Sequence, residues 1–433
     1  MVRVRRLVAV VVAILGLLAG CSGDGGSEPA DDPAAASSSA TAGRDGEHYQ
    51  PTDEDRQEIR ALLKTRADAL ERGDRQAFLA TVDPADDKLV KQQTTLYDNL
   101  RLLPVESVSY SVDDGAGYPT AEVDGGDPVF RPEVIELVRL DVDTRPVSNT
   151  LENTFVRRDE GWLLGAESVP GRYRQDNEPQ SRPWAGSVPI AVARSGLLLV
   201  VTDRDGQVAP QSLADDIADD IRFDADALGI APSYDVLVDA TTVGDAHQMN
   251  SVDDAEAAAV TFPVGSFTTD GGGRQAGMRI KVNPDEAAQV AVDDQVMRHE
   301  LTHFLTLARL AGAPTWVKEG LAEWTSTAPA TLDELVVDGD AYEHVMDVRR
   351  RLPTGGRWGL DPQADYLIGR AAVTHLVDEY GPERVLALGA AYRRIAGDDP
   401  DEKTDRVLRR ELGISEAALV AATWAELGTL HRG

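Results

Sequence analysis

The tightest constraint on this chain is five residues long: His299-Glu300-Leu301-Thr302-His303. On an α-helix, residues four apart stand one above the other, so His299 and His303 present two imidazoles to one point. That spacing suits a Zn²⁺ ion, which takes neutral imidazole nitrogen at about 2.0–2.1 Å. Glu300 follows the first histidine, and the helix swings it beside the open position of such a metal, where it would serve as general base on a bound water. The chain has only 7 histidines. From that composition a chance H-E-x-x-H has an expected count on the order of 0.01.

Two histidines do not complete a catalytic site, because three protein ligands plus water are usual. Beyond His303 the apolar residues Phe304, Leu305, Leu307 and Leu310 carry the helix on to Gly312, and Pro314 opens a second helix. That helix reads Trp316-Val317-Lys318-Glu319-Gly320-Leu321-Ala322-Glu323-Trp324. A turn at Gly312 would fold it back antiparallel to the first, bringing a carboxylate to the metal, and Glu319 and Glu323 share one of its faces.

H-E-L-T-H followed by a Trp-x-x-Glu-Gly-x-Ala helix resembles the gluzincin zinc metallopeptidases, the superfamily of thermolysin and the alanyl aminopeptidases. The resemblance implies Glu319 as third metal ligand and Glu323 as the carboxylate that braces His299. Tyr366-Leu367-Ile368-Gly369-Arg370-Ala371 is similar to the Tyr-x-x-Gly-x-Ala helix of the aminopeptidase-like branch. It implies that the Tyr366 hydroxyl supports the oxyanion. The chain departs from those relatives in two ways. Only 15 residues lie between His303 and Glu319, so the connection is shorter. No acidic residue stands in Met278–Val282 to match the glutamate that holds a free amino terminus. That strand is instead expected to offer backbone groups to an extended peptide by edge pairing.

The N-terminus supplies an address. Arg3, Arg5 and Arg6 precede a short apolar run from Leu7 to Leu18, too short for a comfortable membrane span. The stretch resembles a bacterial lipoprotein signal, whose lipobox matches Leu18-Ala19-Gly20-Cys21. That implies cleavage after residue 20, lipid on Cys21, and an extracytoplasmic protein anchored to the bacterial cell membrane. Cys21 is the only cysteine, so no internal disulfide can form. Residues 21–50 are rich in Gly, Ser, Ala, Pro and Asp without apolar periodicity and read as a flexible linker. A net charge of −31 argues against nucleic acid, whose binders need a basic patch to displace phosphate counterions. Arg349-Arg350-Arg351 and Arg393-Arg394 read as solvated faces of helices.

The rest of the chain reads as α+β. Helices are expected from Thr52 to Gly73, through Ala77–Leu79, and from Leu89 to Pro104. The hydrophobic period then switches to two, and strands are expected over Val105–Val112, Val134–Val142, Leu151–Arg157 and Trp162–Ala166. Helices followed by a curved antiparallel sheet, with Ala69-Leu70-Glu71-Arg72-Gly73-Asp74 near the start, resemble the NTF2-like domains. That assigns residues 51–175, and a Pro- and Asn-containing join runs to Gly186. From 185 to 433 a zincin-type metallopeptidase domain is expected, a small mixed sheet followed by a mostly helical half. Its strands are Val188–Ala193, Leu197–Thr202, Tyr234–Val238, Ala258–Phe262 and Met278–Val282, with a helix over Leu213–Leu228. The reading is a membrane-anchored zinc peptidase acting on peptides or proteins near the membrane. Its alternative is a non-enzymatic zinc-containing lipoprotein that binds a partner. His247, His344, His375 and His431 are given no role.

Overall fold

The computed structural model describes residues 48–49, 51–112, 121–124, 127–159, 161–168, 182–242, 258–267, 273–284, 286–334, 336–337, 339–347, 350–353, 362–397 and 399–432. The signal, Cys21, the linker to residue 47, most of the interdomain join, His247 and Arg349 lie outside them. Among the described residues no helix is long and apolar enough to cross a membrane.

The architecture is α+β, with two principal sheets. After β1 (His48–Tyr49), helix α1 (Asp53–Arg72) starts at a capping box: the Thr52 hydroxyl accepts from Asp55 N, and the Asp55 carboxylate accepts from Thr52 N at 2.7 Å. Helices α2 (Arg75–Leu79) and α3 (Asp87–Leu100) follow, each capped by an aspartate, Asp74 and Asp86. The chain then turns to strands β2 (Val105–Val112), β3 (Ala121–Asp124), β4 (Asp127–Phe130), β5 (Glu133–Leu140), β6 (Val147–Arg158) and β7 (Gly161–Ser168). They form an antiparallel sheet in the order β1-β3-β4-β6-β5-β2, with β7 on the other side of β6. Sequence reading missed β3 and β4, which are too short to display a period. Strand β5 buries every second residue, and one of the four is Glu136 rather than an apolar side chain. Its carboxylate is held by Arg182 at 2.6 Å, in a buried network with Glu167 and Arg66.

The second sheet comprises β8 (Ile190–Ser195), β9 (Leu198–Asp203), β10 (Val236–Ala240), β11 (Ala259–Phe267) and β12 (Gly273–Val282), with helix α4 (Pro210–Leu228) crossing between β9 and β10. Its order is β11-β12-β10-β9-β8; the central three are parallel and the outer two antiparallel to their neighbours. The edge strand beside β12 is therefore β11. Met278–Val282, expected at an edge, is paired on both sides, because the antiparallel excursion through β11 covers it. Strand β10 is buried at every position, as expected where both faces are covered. On one face Val200, Val238 and Ile280 pack with Leu213 and Ile217 of α4 and with Leu301 and Phe304. On the other, Leu199, Val201 and Leu237 pack with Leu96, Leu100 and Val138 of the N-terminal unit and with Trp184. The N-terminal unit is also tied on by a buried bidentate pair, Asp143 with Arg279, at 2.7 and 3.0 Å.

The remainder is largely helical: α5 (Ala287–Val290), α6 (Asp294–Leu310), α7 (Thr315–Thr327), α8 (Gly339–Asp347), α9 (Pro362–Tyr380), α10 (Pro382–Arg394), α11 (Thr404–Glu411) and α12 (Glu416–Leu427). Two residue pairs, Val336–Val337 and His431–Arg432, interrupt it as a small parallel ladder. Arg350 and Arg351 fall after α8 rather than within a helix. Arg393 is not merely solvated: its guanidinium donates to the carbonyl of Ala311 at the end of α6, satisfying a helix terminus that lacks a cap of its own.

Candidate metal centre

Helix α6 begins at Asp293, whose carboxylate accepts from Gln295 N. From Met297 to Phe304 every residue is buried, so this helix is enclosed on all sides rather than amphipathic. That enclosure makes its polar residues informative. His299 and His303 are one turn apart with their Nε2 atoms separated by 3.1 Å. The chain leaves α6 through Gly312 at φ 83, a conformation glycine adopts without strain, and Pro314 sets the entry to α7 at the cap position, one residue earlier than expected. Helix α7 returns along α6 and places Glu319 Oε2 at 3.3 Å from both imidazole Nε2 atoms.

These three atoms form a triangle of 3.1, 3.3 and 3.3 Å. A tetrahedral ion with bonds of about 2.0–2.1 Å requires ligand–ligand edges of about 3.3 Å. The donor set, two imidazoles and one carboxylate, suits a first-row transition-metal ion rather than calcium or magnesium, which take oxygen. Among the described residues His299, His303 and Glu319 thus form a buried group that can hold a metal ion.

Electrostatics point the same way. Burial pulls the His299 imidazolium down, but contacts with Glu319 and Glu323 outweigh it and raise its pKa to about 10. Burial pushes Glu319 up, and His303 with His299 more than reverse this, holding it at about 2. Both shifts express the attraction between imidazolium and carboxylate, and a divalent cation held by the same atoms would displace the proton.

Three further side chains surround this triangle. Glu323, one turn beyond Glu319, places Oε1 at 3.0 Å from His299 Nδ1. A carboxylate there keeps the proton on Nδ1 and the Nε2 lone pair toward the centre. Glu300 is fully buried and neither of its carboxylate oxygens has a hydrogen-bond partner. Burial raises its pKa, with His299, His303 and the nearby Thr261 hydroxyl opposing, although that hydroxyl gives its hydrogen to the Glu300 backbone carbonyl at 3.0 Å rather than to the carboxylate. Native proteins rarely leave such a group unsatisfied, so these oxygens are reserved for something that is not protein. Tyr366, on the first turns of α9, is buried with its ring centroid 6.1 Å from that of His299. Comparison of the chain with protein-family models, curated proteins and solved structures finds no match.

The centre therefore rests on its own geometry. All six residues singled out in the second half of the sequence, His299, Glu300, His303, Glu319, Glu323 and Tyr366, converge. His344 and His375 do not join them; His375 instead lies 3.9 Å from Glu426.

Sequence reading missed the frame that holds α6 in rotation. Arg298 reaches Asp224 on α4 at 3.1 Å and the carbonyl of Ala328 at 2.9 Å, and its guanidinium lies 3.8 Å over the Phe223 ring. Thr302, one turn on, hydrogen-bonds Thr325 of α7. Arg298 and Thr302, four apart on the helix that carries the histidines, were the available signal. Two more residues were overlooked. Thr261 of β11 donates to the Glu300 carbonyl at 3.0 Å, fixing the edge strand beside the centre. Gly320 sits where α7 and α9 touch backbone to backbone: a Cβ there would lie 2.3 Å from the Gly369 carbonyl oxygen.

Proposed function

We propose that this protein is a zinc-dependent peptidase, and the observation that carries the reading is Glu300. A metal site built only for structure has no use for a fully buried carboxylate without partners next to its ligands. His299, His303 and Glu319 would hold the ion, and a zinc ion so bound supplies Lewis acidity, lowering the pKa of water toward 7 and polarising a carbonyl. Glu300 takes the proton from the attacking water and passes it to the amine nitrogen of the departing product. Its burial, which disfavours the charged form, suits it to both halves of that transfer. Tyr366 donates its phenolic hydrogen to the oxygen on which charge develops, an interaction worth about 2.7–4 kcal/mol in other acyl-transfer sites. Among the described residues strand β11 pairs on one side only, and its other edge, registered against α6 through Thr261, would take the substrate backbone.

The wider reading follows the sequence. Residues 185–433 would be a zincin-type catalytic unit of the gluzincin kind and residues 51–175 an NTF2-like module. Lipid on Cys21 would hold the protein outside the cytoplasmic membrane, close to peptide or protein substrates there. Glu300→Gln tests the catalytic claim. The variant should retain one equivalent of zinc by elemental analysis and lose hydrolysis of a peptide library by at least about 10³-fold. Cleavage at an unchanged rate would sink the mechanism.

A further inference from the structure

Arg370 lies one turn along α9 from Tyr366, on the same face of the helix. It is 3% exposed, and its Nε has no hydrogen-bond partner. Among the described residues its guanidinium forms neither a hydrogen bond nor an ion pair. The one carboxylate whose charge it feels is Glu323, already engaged with His299 Nδ1. Burial accordingly draws its pKa down to about 10, against the pull of Glu323. A turn further, Thr374 is 8% exposed and its Oγ1 is also without a partner, although a helical threonine can ordinarily bond the carbonyl four residues back. Tyr366, Arg370 and Thr374 thus make a polar stripe on a helix that otherwise buries apolar residues.

A buried guanidinium with its donors unused is costly, and burying a hydroxyl unpaired adds to the cost. The guanidinium fork matches the two oxygens of a carboxylate. The geometry points to a carboxylate-binding subsite formed by Arg370 and Thr374, which gives the peptidase a preference for substrates carrying a negative carboxylate close to the scissile bond. This rests on the peptidase reading above and names its substrate class. Four residues of helix advance about 6 Å, which is about two residues of extended peptide. The carboxylate recognised therefore sits within about two residues of the bond whose oxygen Tyr366 supports. It is either the free C-terminus of the substrate or an aspartate or glutamate side chain.

The test uses the zinc-loaded full-length protein and three matched N-acetylated hexapeptides: one with a free C-terminal acid, one with a C-terminal amide, and one amide with aspartate at the penultimate position. Binding is measured by calorimetry on Glu300→Gln protein, where turnover is stopped, and cleavage by mass spectrometry on the unsubstituted protein. The acid or the aspartate peptide should bind about 10- to 100-fold more tightly than the plain amide, the range of a charge-assisted hydrogen-bonded pair. Which of the two does so identifies the source of the carboxylate. Adding Arg370→Gln should erase the difference and Thr374→Val should reduce it. Binding of all three peptides within twofold, or a preference that survives Arg370→Gln, overturns the subsite. The first comparison needs no substitution in the stripe, so a folding defect cannot hide the answer. Carboxylate-selective binding without cleavage would leave the subsite standing and remove the peptidase; cleavage without selectivity does the reverse.

Discussion

Replacing Gly320 by alanine adds one methyl group at the closest approach of α7 to α9. The new Cβ would lie 2.3 Å from the Gly369 carbonyl oxygen, 2.6 Å from its carbon and 2.8 Å from Val373 Cγ2. Carbon and oxygen rest at about 3.3–3.6 Å, so the two helices must separate by about 1 Å. Two obstacles are backbone atoms, which cannot rotate away. Overpacking costs about 1–3 kcal/mol, and this site belongs at the upper end; alanine returns up to about 1 kcal/mol of helix propensity. The net loss is about 1–2 kcal/mol, a fall in Tm of about 2–6 °C. The metal centre should suffer more. Glu319 is the adjacent residue on α7 and Tyr366 stands one turn before Arg370 on α9, so the separation opens the distance between them. A misplacement of about 1 Å costs on the order of 10²-fold in rate. Calorimetric melts of chelated and zinc-loaded protein, with a zinc competition titration, separate the two effects. If chelated Gly320→Ala protein melted at or above the parent, as a Gly→Ala change on an open helix face would, the backbone contact would be refuted.

Other consequences can be measured directly. Glu323→Gln should weaken zinc binding about 10- to 100-fold, because the oxygen facing His299 Nδ1 loses its charge; affinity unchanged in a chelator competition would remove Glu323 from the site. Asp143→Asn should cost about 3–5 kcal/mol in urea unfolding by breaking the buried charge pair with Arg279 while keeping the acceptor for Leu140 N, and adding Arg279→Met should recover part of the loss. Burial, then Asp294 and Asp224, push Asp220 up to about 7 against the pull of Arg298. The folded chain thus holds that proton more tightly than the unfolded chain, where aspartate titrates near 3.9. Through this group stability falls as pH rises from about 4 to about 7. Asp220→Asn should therefore raise Tm at pH 8 and give a smaller gain at pH 5, and an equal gain at both values would rule the assignment out.

How much of the centre was legible depends on how far apart its parts lie in the chain. A helix converts a spacing of four into a distance without help from tertiary structure, so His299, Glu300 and His303 could be placed at once. Glu319 and Glu323 needed one further step, a tight turn at Gly312, and the short connection left little else for α7 to do. Arg298 with Asp224 lay beyond reach because the partners are 74 residues apart. Burial, which makes the unpartnered state of Arg370 meaningful, is likewise invisible in a sequence. Strand order was misjudged for a related reason: alternation shows which face a residue takes, but not which strand is its neighbour. Met278–Val282 has the composition of an edge or an interior strand equally well, and only the pairing with β11 decides.

The shared packing of Leu199, Val201 and Leu237 with the N-terminal unit has a consequence for how the protein is made. The ribosome delivers the first sheet before the second, so its apolar surface is waiting when β9 and β10 emerge. The parallel strands, slow to pair because their partners are distant in the chain, then assemble on a prepared template rather than in the open. A chain begun at residue 185 would lack that template and carry three uncovered aliphatic side chains on its central strands. The N-terminal unit thus acts as a built-in folding partner, supplied in advance by the order of synthesis.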